Sequence, residues 1–497
     1  MRKILLFKNT ISSVIFELSS IICGFIVPQL IMNSYGSDVN GLVNSVTQFL
    51  QVISFLELGV GAVVQSALYQ SLAAHDDKKT SMILSSARKF FDRIGITLFF
   101  YVAILLFVFP TIVNDKYSFW YTAALIISMS ISSFAQYFFG ITDRLLLNSA
   151  QRGYIQYNAQ SVTIILNTIS CVILIKLGAK IQVVKLVTSL IFLIRPIVLR
   201  YYVNRNFNVN RYEKYEVEPI PQKWNGIAQH IAAIVLDSTD TIVLTVFSSL
   251  SDVSIYSVYY LVVFGVKRMM ESLLNGVQAL MGELWSKKEY GNLNRFFAKT
   301  EWSVHTIGVF LFGCTGVLIV PFILVYTKGV NDAQYNQQLF AVLITAAFAL
   351  QGIRSPYVML IKAAGHYKQT QNCYIIAACL NIIVSIATVK MWGLIGVAVG
   401  TLIAIGYQTV WMIIYEYNNI LDNRIQCSLK QLGVDILTII VGYGISTFFV
   451  RQVGNYVDWF FMAIEVATVF AGTVFFTNLV FYRKNVFMIL RKVKLLK

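Results

Sequence analysis

Long apolar runs alternate with short polar connections along the whole chain, and the runs recur about fourteen times at lengths near twenty residues. They fall at 11–33, 42–68, 94–113, 118–141, 155–175, 181–203, 226–250, 253–281, 302–326, 337–361, 371–389, 392–415, 431–451 and 456–481. An α-helix rises 1.5 Å per residue, so about twenty apolar residues cross the hydrocarbon layer of a bilayer. A transmembrane barrel needs ten-residue segments that alternate apolar and polar positions, and these runs do not alternate. The pattern predicts an all-α integral membrane protein of about 14 transmembrane helices. Several runs carry a charge or a Gly or Pro; lipid excludes unpaired backbone, so any break in such a helix must face protein or water.

The longest polar segment, Asn204 to Asn225, follows the sixth run and contains Arg211, Glu213, Lys214, Glu216, Glu218, Pro219 and Pro221. An internal repeat supports a division there. Ser37-Asp38-Val39 after the first run matches Ser251-Asp252-Val253 after the seventh at an offset of 214, and the same offset carries Ala150 onto Ala364 and Asn167 onto Asn381. The expected organisation is an N-terminal lobe of helices one to six (1–203), a cytoplasmic inter-lobe linker (204–225), a C-terminal lobe of helices seven to twelve (226–416), and an appended helix pair with a basic tail (417–497). Six helices per lobe is an even number. Both lobes therefore enter from the same side, as two pseudo-symmetric parallel copies about an axis along the membrane normal.

Basic residues give the orientation. With the N-terminus in the cytoplasm, 29 Lys and Arg fall in the inner connections, and only Lys116, Lys176, Lys180, Lys328, Lys390 and Arg451 in the outer ones. That asymmetry places both termini in the cytoplasm. The outer connections are roughly 3 to 12 residues long, and no extramembrane domain is evident. The start Met1-Arg2-Lys3 resembles the basic region of a signal peptide, but the run that follows is long, contains Glu17 and lacks a small-x-small cleavage site, so it reads as a retained first helix.

Composition agrees: 57% of residues are hydrophobic and 13% charged, against about 45–50% and 25% in soluble domains. Mean hydropathy is +0.66. The net charge of +16 is spread over short segments between apolar runs rather than gathered on one motif, which points to anionic lipid headgroups and away from nucleic acid. Six cysteines make no CxxC pair and read as small packing residues. No HExxH, Walker A or GxSxG sequence occurs, and His75, His230, His305 and His366 are scattered, so transport without hydrolysis is expected and no cofactor or metal is called for.

Charges within the apolar runs mark candidate sites, because each costs at least ~2.5 kcal/mol in lipid. Asp237 and Asp240 lie three apart on one helical face and are candidates for a coupling H+ or Na+. Lys267, Arg268 and Glu271 sit within the eighth run, and Glu271 can compensate only part of the positive charge. Arg195 precedes Pro196 in the sixth run, Arg354 lies just before Pro356 in the tenth, and Glu17 and Glu57 fall near mid-span of the first two. Taken together they predict a wet, net cationic chamber between two lobes that holds an anion and opens to each side in turn. The bland reading is that the arginines reach the headgroups and Lys267 and Glu271 neutralise one another. Beside Glu57, Gly59 and Gly61 permit close helix packing.

The segments Val27-Pro28-Gln29-Leu30, Tyr35-Gly36-Ser37-Asp38-Val39-Asn40-Gly41-Leu42, Gln48-Phe49, Leu56-Glu57-Leu58-Gly59 and Ala67-Leu68-Tyr69 resemble the Wzx-like flippases of O-antigen, capsule and exopolysaccharide synthesis. These belong to the superfamily that also holds the multidrug and toxin extrusion (MATE) transporters and the peptidoglycan-precursor flippase. The likeness covers the whole chain. It implies a MATE-like fold of two six-helix lobes plus two helices, in a bacterial cytoplasmic membrane, and a chain that is not an enzyme and works as a monomer. The implied cargo is an undecaprenyl-pyrophosphate-linked oligosaccharide, with a polysaccharide polymerase and glycosyltransferases as neighbours in the pathway. The alternative is a MATE-type cation antiporter, for which Lys267 and Arg268 are awkward.

Overall fold

A computed structural model describes the chain except residues 1, 58, 59, 114, 115, 221–226, 273, 275, 276, 422–424 and 488–497. The expected basic tail at 488–497 and the side chains of Asp237 and His230 lie outside the described residues. What is described is helical, and 12 helices are long and apolar enough to cross a membrane. Of the fourteen expected spans, two are not among these. The run at 226–250 is described only in part, with Ser238–Phe247 as a shorter apolar helix, and the run at 42–68 is not continuous. Contacts divide the chain into two compact units, Met1–Ser254 and Ile255–Lys497.

The first unit contains α1 (Arg2–Tyr35), α2 (Ser37–Gln51), a 3₁₀ turn (Val52–Glu57), α3 (Val60–Ala73), α4 (Asp77–Ile112), α5 (Phe119–Ala135), a π turn (Gln136–Gly140), α6 (Ile141–Ser149), α7 (Tyr154–Lys176), α8 (Ile181–Phe192), α9 (Ile194–Asn206), α10 (Ile227–Phe247) and the start of α11 (Leu250–Ser272). Its apolar core includes Leu42, Val46, Val64, Leu68, Leu84, Phe91, Leu98 and Phe109. On α4 the opposite face carries Phe99, Phe100, Ile104 and Phe107, the last 70% exposed. A face of that kind suits contact with acyl chains. Asp76 caps α4 by accepting from the Lys79 amide at 2.8 Å, which satisfies a donor that the helix leaves open.

The sequence expectation of one helix over 42–68 is corrected: α2 gives way to a 3₁₀ turn at Val52 before α3 begins. Leu58 and Gly59 of the small-residue motif lie outside the described residues. Two other spans break at proline. The sixth splits into α8 and α9 just before Pro196, and the tenth splits just before Pro356, because proline lacks the amide and its ring crowds the preceding turn.

After α9 the chain does not run free. Arg211 is buried and donates through Nε and Nη2 to Asp143 Oδ1 at 2.8 and 2.7 Å, and through Nη1 to Asn204 at 2.7 Å. These bonds fasten the polar segment to α6. The repeat copies meet at the head of α11: Ser251 donates to Asp38 at 2.6 Å and Asn40 to Ser254 at 2.8 Å. Gly41 permits this approach, since a Cβ there would stand 1.8 Å from the Leu250 carbonyl oxygen. Contacts such as Ser45 to Thr245 at 2.7 Å place α10 with the helices before it.

The second unit contains the rest of α11, then α12 (Val277–Ser286), α13 (Tyr290–Tyr326), α14 (Gln338–Ile353), α15 (Ser355–Ala363), α16 (Tyr367–Trp392), α17 (Leu394–Asn419), α18 (Gln426–Ser446) and α19 (Tyr456–Phe481). Phe470 of α19 is fully buried and packs with Val317, Leu318, Met462 and Val466. It fills the space left by Gly313 and Gly442, where a Cβ would come within 2.3 and 2.6 Å of its ring. This joins α13, α18 and α19 in one bundle.

Candidate functional site

In the first unit the 3₁₀ turn, the π turn and the break between α8 and α9 enclose polar space. Irregular backbone within a membrane span is tolerated where it lines a cavity. A cavity of about 430 Å³ is lined by Gln51, Ser54, Glu57, Asn167, Lys185 and Thr188 among others. A second, of about 250 Å³, is lined by Arg144, Gln156, Gln160 and Arg195. The two share Ser132, Ser133, Gln136 and Phe192 and form one polar cleft.

Two charged groups in the cleft, Arg195 and Glu57, are each held from one side. Arg195 Nε donates to Thr163 Oγ1 at 2.6 Å, and its guanidinium carbon lies 4.4 Å from the Phe192 ring centre. Its two Nη groups meet no acceptor among the described residues. Lys185 projects from α8 into the same space, and its ammonium likewise has no hydrogen-bond acceptor among the described residues. Glu57 accepts from the Tyr137 hydroxyl at 2.7 Å. Three cations therefore face one carboxylate, with serine, glutamine and asparagine side chains between them. Such a lining favours an anion carrying many hydrogen-bonding groups.

The sequence-predicted residues divide between the units. Arg195 and Glu57 come together in this cleft. Glu17 lies exposed on α1, and Asp240 is buried on α10 at 3% exposure. The second unit holds Lys267, Arg268, Glu271 and Arg354. Lys267 and Glu271 form an ion pair at 3.7 Å along α11. Arg268 is exposed and stacks over Phe264 at 4.8 Å. Arg354 is buried at the break between α14 and α15. Lys362 on α15 stands within electrostatic reach of both Arg354 and Glu271, so this group has a member that the sequence reading had left to a loop.

Sequence reasoning also missed Lys185 and Arg144. Lys185 did leave a signal, as the only charge between Ile181 and Ile194. The missed residues of the second unit form a buried polar network. Glu301 Oε1 accepts from the Tyr357 and Ser428 hydroxyls, and Ser428 is 2.7 Å from the Tyr417 hydroxyl. One turn along α13, His305 Nδ1 lies 2.5 Å from Asp435, which also accepts from Gln431 at 3.1 Å. Just beyond α19, the Tyr482 hydroxyl is pushed up to about 12 by burial, with Asp435 and Glu301 adding to the effect.

No family model matches the sequence, and no curated protein matches it. The fold does match solved structures. The lipid II flippase MurJ, in an inward closed conformation, superposes with a TM-score of 0.68 over 95% of this chain and 99% of that one, at 16% identity. The MATE multidrug transporter DinF-BH gives 0.60 over 84% of this chain and 95% of its own, at 14% identity. The Vibrio cholerae MATE transporter VcmN gives 0.59 over 85% and 97%, at 12% identity. At these identities the likeness is one of fold, and the chain has the fold that MurJ and the MATE transporters share.

Proposed function

We propose that this protein is a flippase that turns undecaprenyl-pyrophosphate-linked oligosaccharide repeat units from the cytoplasmic to the outer leaflet of a bacterial cell membrane, by alternating access. The repeat units then serve capsule, exopolysaccharide or O-antigen synthesis, and both termini lie in the cytoplasm. The observation that carries the reading is the cleft of the first unit, where Lys185 and the Nη groups of Arg195 face open polar space. Moving a pyrophosphate and its sugars through hydrocarbon would strip many hydrogen bonds at several kcal/mol each. A cleft with cations for the phosphates and amides and hydroxyls for the sugars replaces those bonds, while the polyprenyl tail stays in lipid. In the second unit, Arg268, Lys267 and Arg354, with Glu271 beside Lys267, remain proposed substrate residues in this reading. Asp237 and Asp240 are the groups proposed to carry a coupling H+ or Na+. A polymerase and glycosyltransferases act after and before it on the same glycan, and one chain suffices.

The fold alone also suits a MATE-type antiporter for organic cations. Such a cleft should be acidic, and here Glu57 faces Lys185, Arg195 and Arg144. The sign of the charge therefore favours the anionic glycolipid.

The test is reconstitution in liposomes with an undecaprenyl-pyrophosphate-linked oligosaccharide in the inner leaflet, scored by a lectin that cannot cross the bilayer. The expected result is protein-dependent exposure of the sugar. Export of an ethidium-like cation with no exposure of glycan would replace this reading with the antiporter.

A further inference from the structure

Glu416 is fully buried near the C-terminal end of α17, and no hydrogen bond reaches either of its carboxyl oxygens. It stands near Glu301, a second buried carboxyl. The helices packed against α17 bring no relief. No titratable side chain occurs on α14. On α16, Tyr374 lies in the field of both Glu416 and Arg354. On α15, Tyr357 is committed to Glu301, and the neighbouring Tyr415 hydroxyl lies 2.9 Å from His366 Nδ1.

An ionised carboxylate buried without a hydrogen-bonding or ionic partner is so costly that the group takes a proton instead. Tyr417, Ser428, Glu301 and Tyr357 form a chain of hydroxyls about one carboxyl. One turn along α13, His305 is fully buried, with Nδ1 on Asp435 and Nε2 unpartnered. Glu416 lies three residues from the end of α17, and Ser428 two residues after the start of α18, so the network sits at an end of the second unit where water is near.

From this arrangement we infer that Glu416 is a proton-binding site of the second unit, exchanging its proton with water at the end of the bundle where α17 stops and α18 begins. Uptake converts the carboxylate and a hydronium ion to a carboxylic acid and water; release reverses it. Glu301 is held by two hydroxyl donors, whereas Glu416 has none. The site is distinct from Asp237 and Asp240, and it goes beyond the flippase reading.

Infrared difference spectroscopy of the full chain in liposomes tests it without any substrate. Near neutral pH the wild-type protein should show the carbonyl stretch of a protonated carboxylic acid, sensitive to exchange into heavy water. E416Q should lose that band, whereas E301Q and the exposed control E283Q should keep it. If E416Q fails to reach the membrane, E416D serves, because moving the acid by one methylene must shift the frequency. A band that survives E416Q, that vanishes in E301Q, that stays fixed in E416D or that is missing from the wild type overturns the assignment. Because no glycolipid is needed, a negative result leaves the flippase reading standing, and a failure of glycan exposure leaves this band to be judged by itself.

Discussion

Each unit places charge inside a membrane-embedded bundle, and the two do it in opposite ways. The cleft of the first unit is open and cationic, with Arg195 anchored by one nitrogen and Lys185 by none. The network of the second is closed and acidic, with Glu301, Asp435 and His305 holding specific partners and Glu416 sealed without any. An open charge is available to a ligand and contributes little to the bundle's own stability. An enclosed one either stabilises through its partners or is neutralised. Function and stability should therefore separate between the units.

The largest expected effect is on the cleft. Arg195→Ala removes charge-assisted hydrogen bonds worth about 1.5–3 kcal/mol where they form to a phosphate. If those bonds form as the glycolipid crosses, translocation falls roughly ten- to a hundredfold, while the melting temperature of the purified protein hardly moves. Lys185→Ala should follow at the lower end of that range. A variant that melts early and flips normally would reverse the contrast between the two units.

Asp435→Ala is the converse probe. It leaves His305 Nδ1 and the Gln431 amide without their acceptor in a sealed site, at about 1–3 kcal/mol. Thermal unfolding in detergent should register this loss. Asp435→Asn, which keeps an acceptor oxygen, should recover part of it. An unchanged melting temperature in Asp435→Ala would mean that the pair is not stabilising and that enclosure is the wrong distinction.

The difference between the units also explains what could be read from the residues alone. Span number depends on composition over about twenty residues, and twelve of the fourteen expected runs are helices long and apolar enough to cross a membrane. Pro196 and Pro356 were in view as residues able to break a helix, but Pro28, Pro110 and Pro321 lie inside continuous helices, so proline alone did not say where the breaks fall. The 3₁₀ turn at Val52 was not, since Val52-Ile53-Ser54-Phe55-Leu56 reads as ordinary helix and the distortion comes from packing. Arg195 and Glu57 stood out as charges within apolar runs. Glu301 and Glu416 did not, because apolar runs trimmed at 302 and 415 leave both just outside and so give them to the loops. In the structure α13 starts at Tyr290 and α17 runs to Asn419, and neighbouring helices bury both carboxyls. Burial at a helix end depends on which helices surround it, and a hydropathy profile does not carry that information.

The smallest effect is expected where charge is neither enclosed nor facing a cavity. Asp38, at the head of α2, is partly exposed, pairs with Lys116 at 2.6 Å and accepts from Ser251. Burial pushes its carboxyl up, but the Lys116 and Ser251 hydrogen bonds and the Lys116 charge outweigh burial and hold it below the usual range. A carboxyl lowered on folding contributes stability that is complete above its unfolded value, about 3.9, and is lost as pH falls through the lower folded one. Lys116→Met should therefore lower stability by under ~1 kcal/mol near neutral pH, and the gap from wild type should close in acid below the usual carboxylate range. A gap that stays constant into acid would assign the effect to the lysine stem rather than to its charge, and would remove this pair as the exposed reference against which the open cleft and the sealed network are compared.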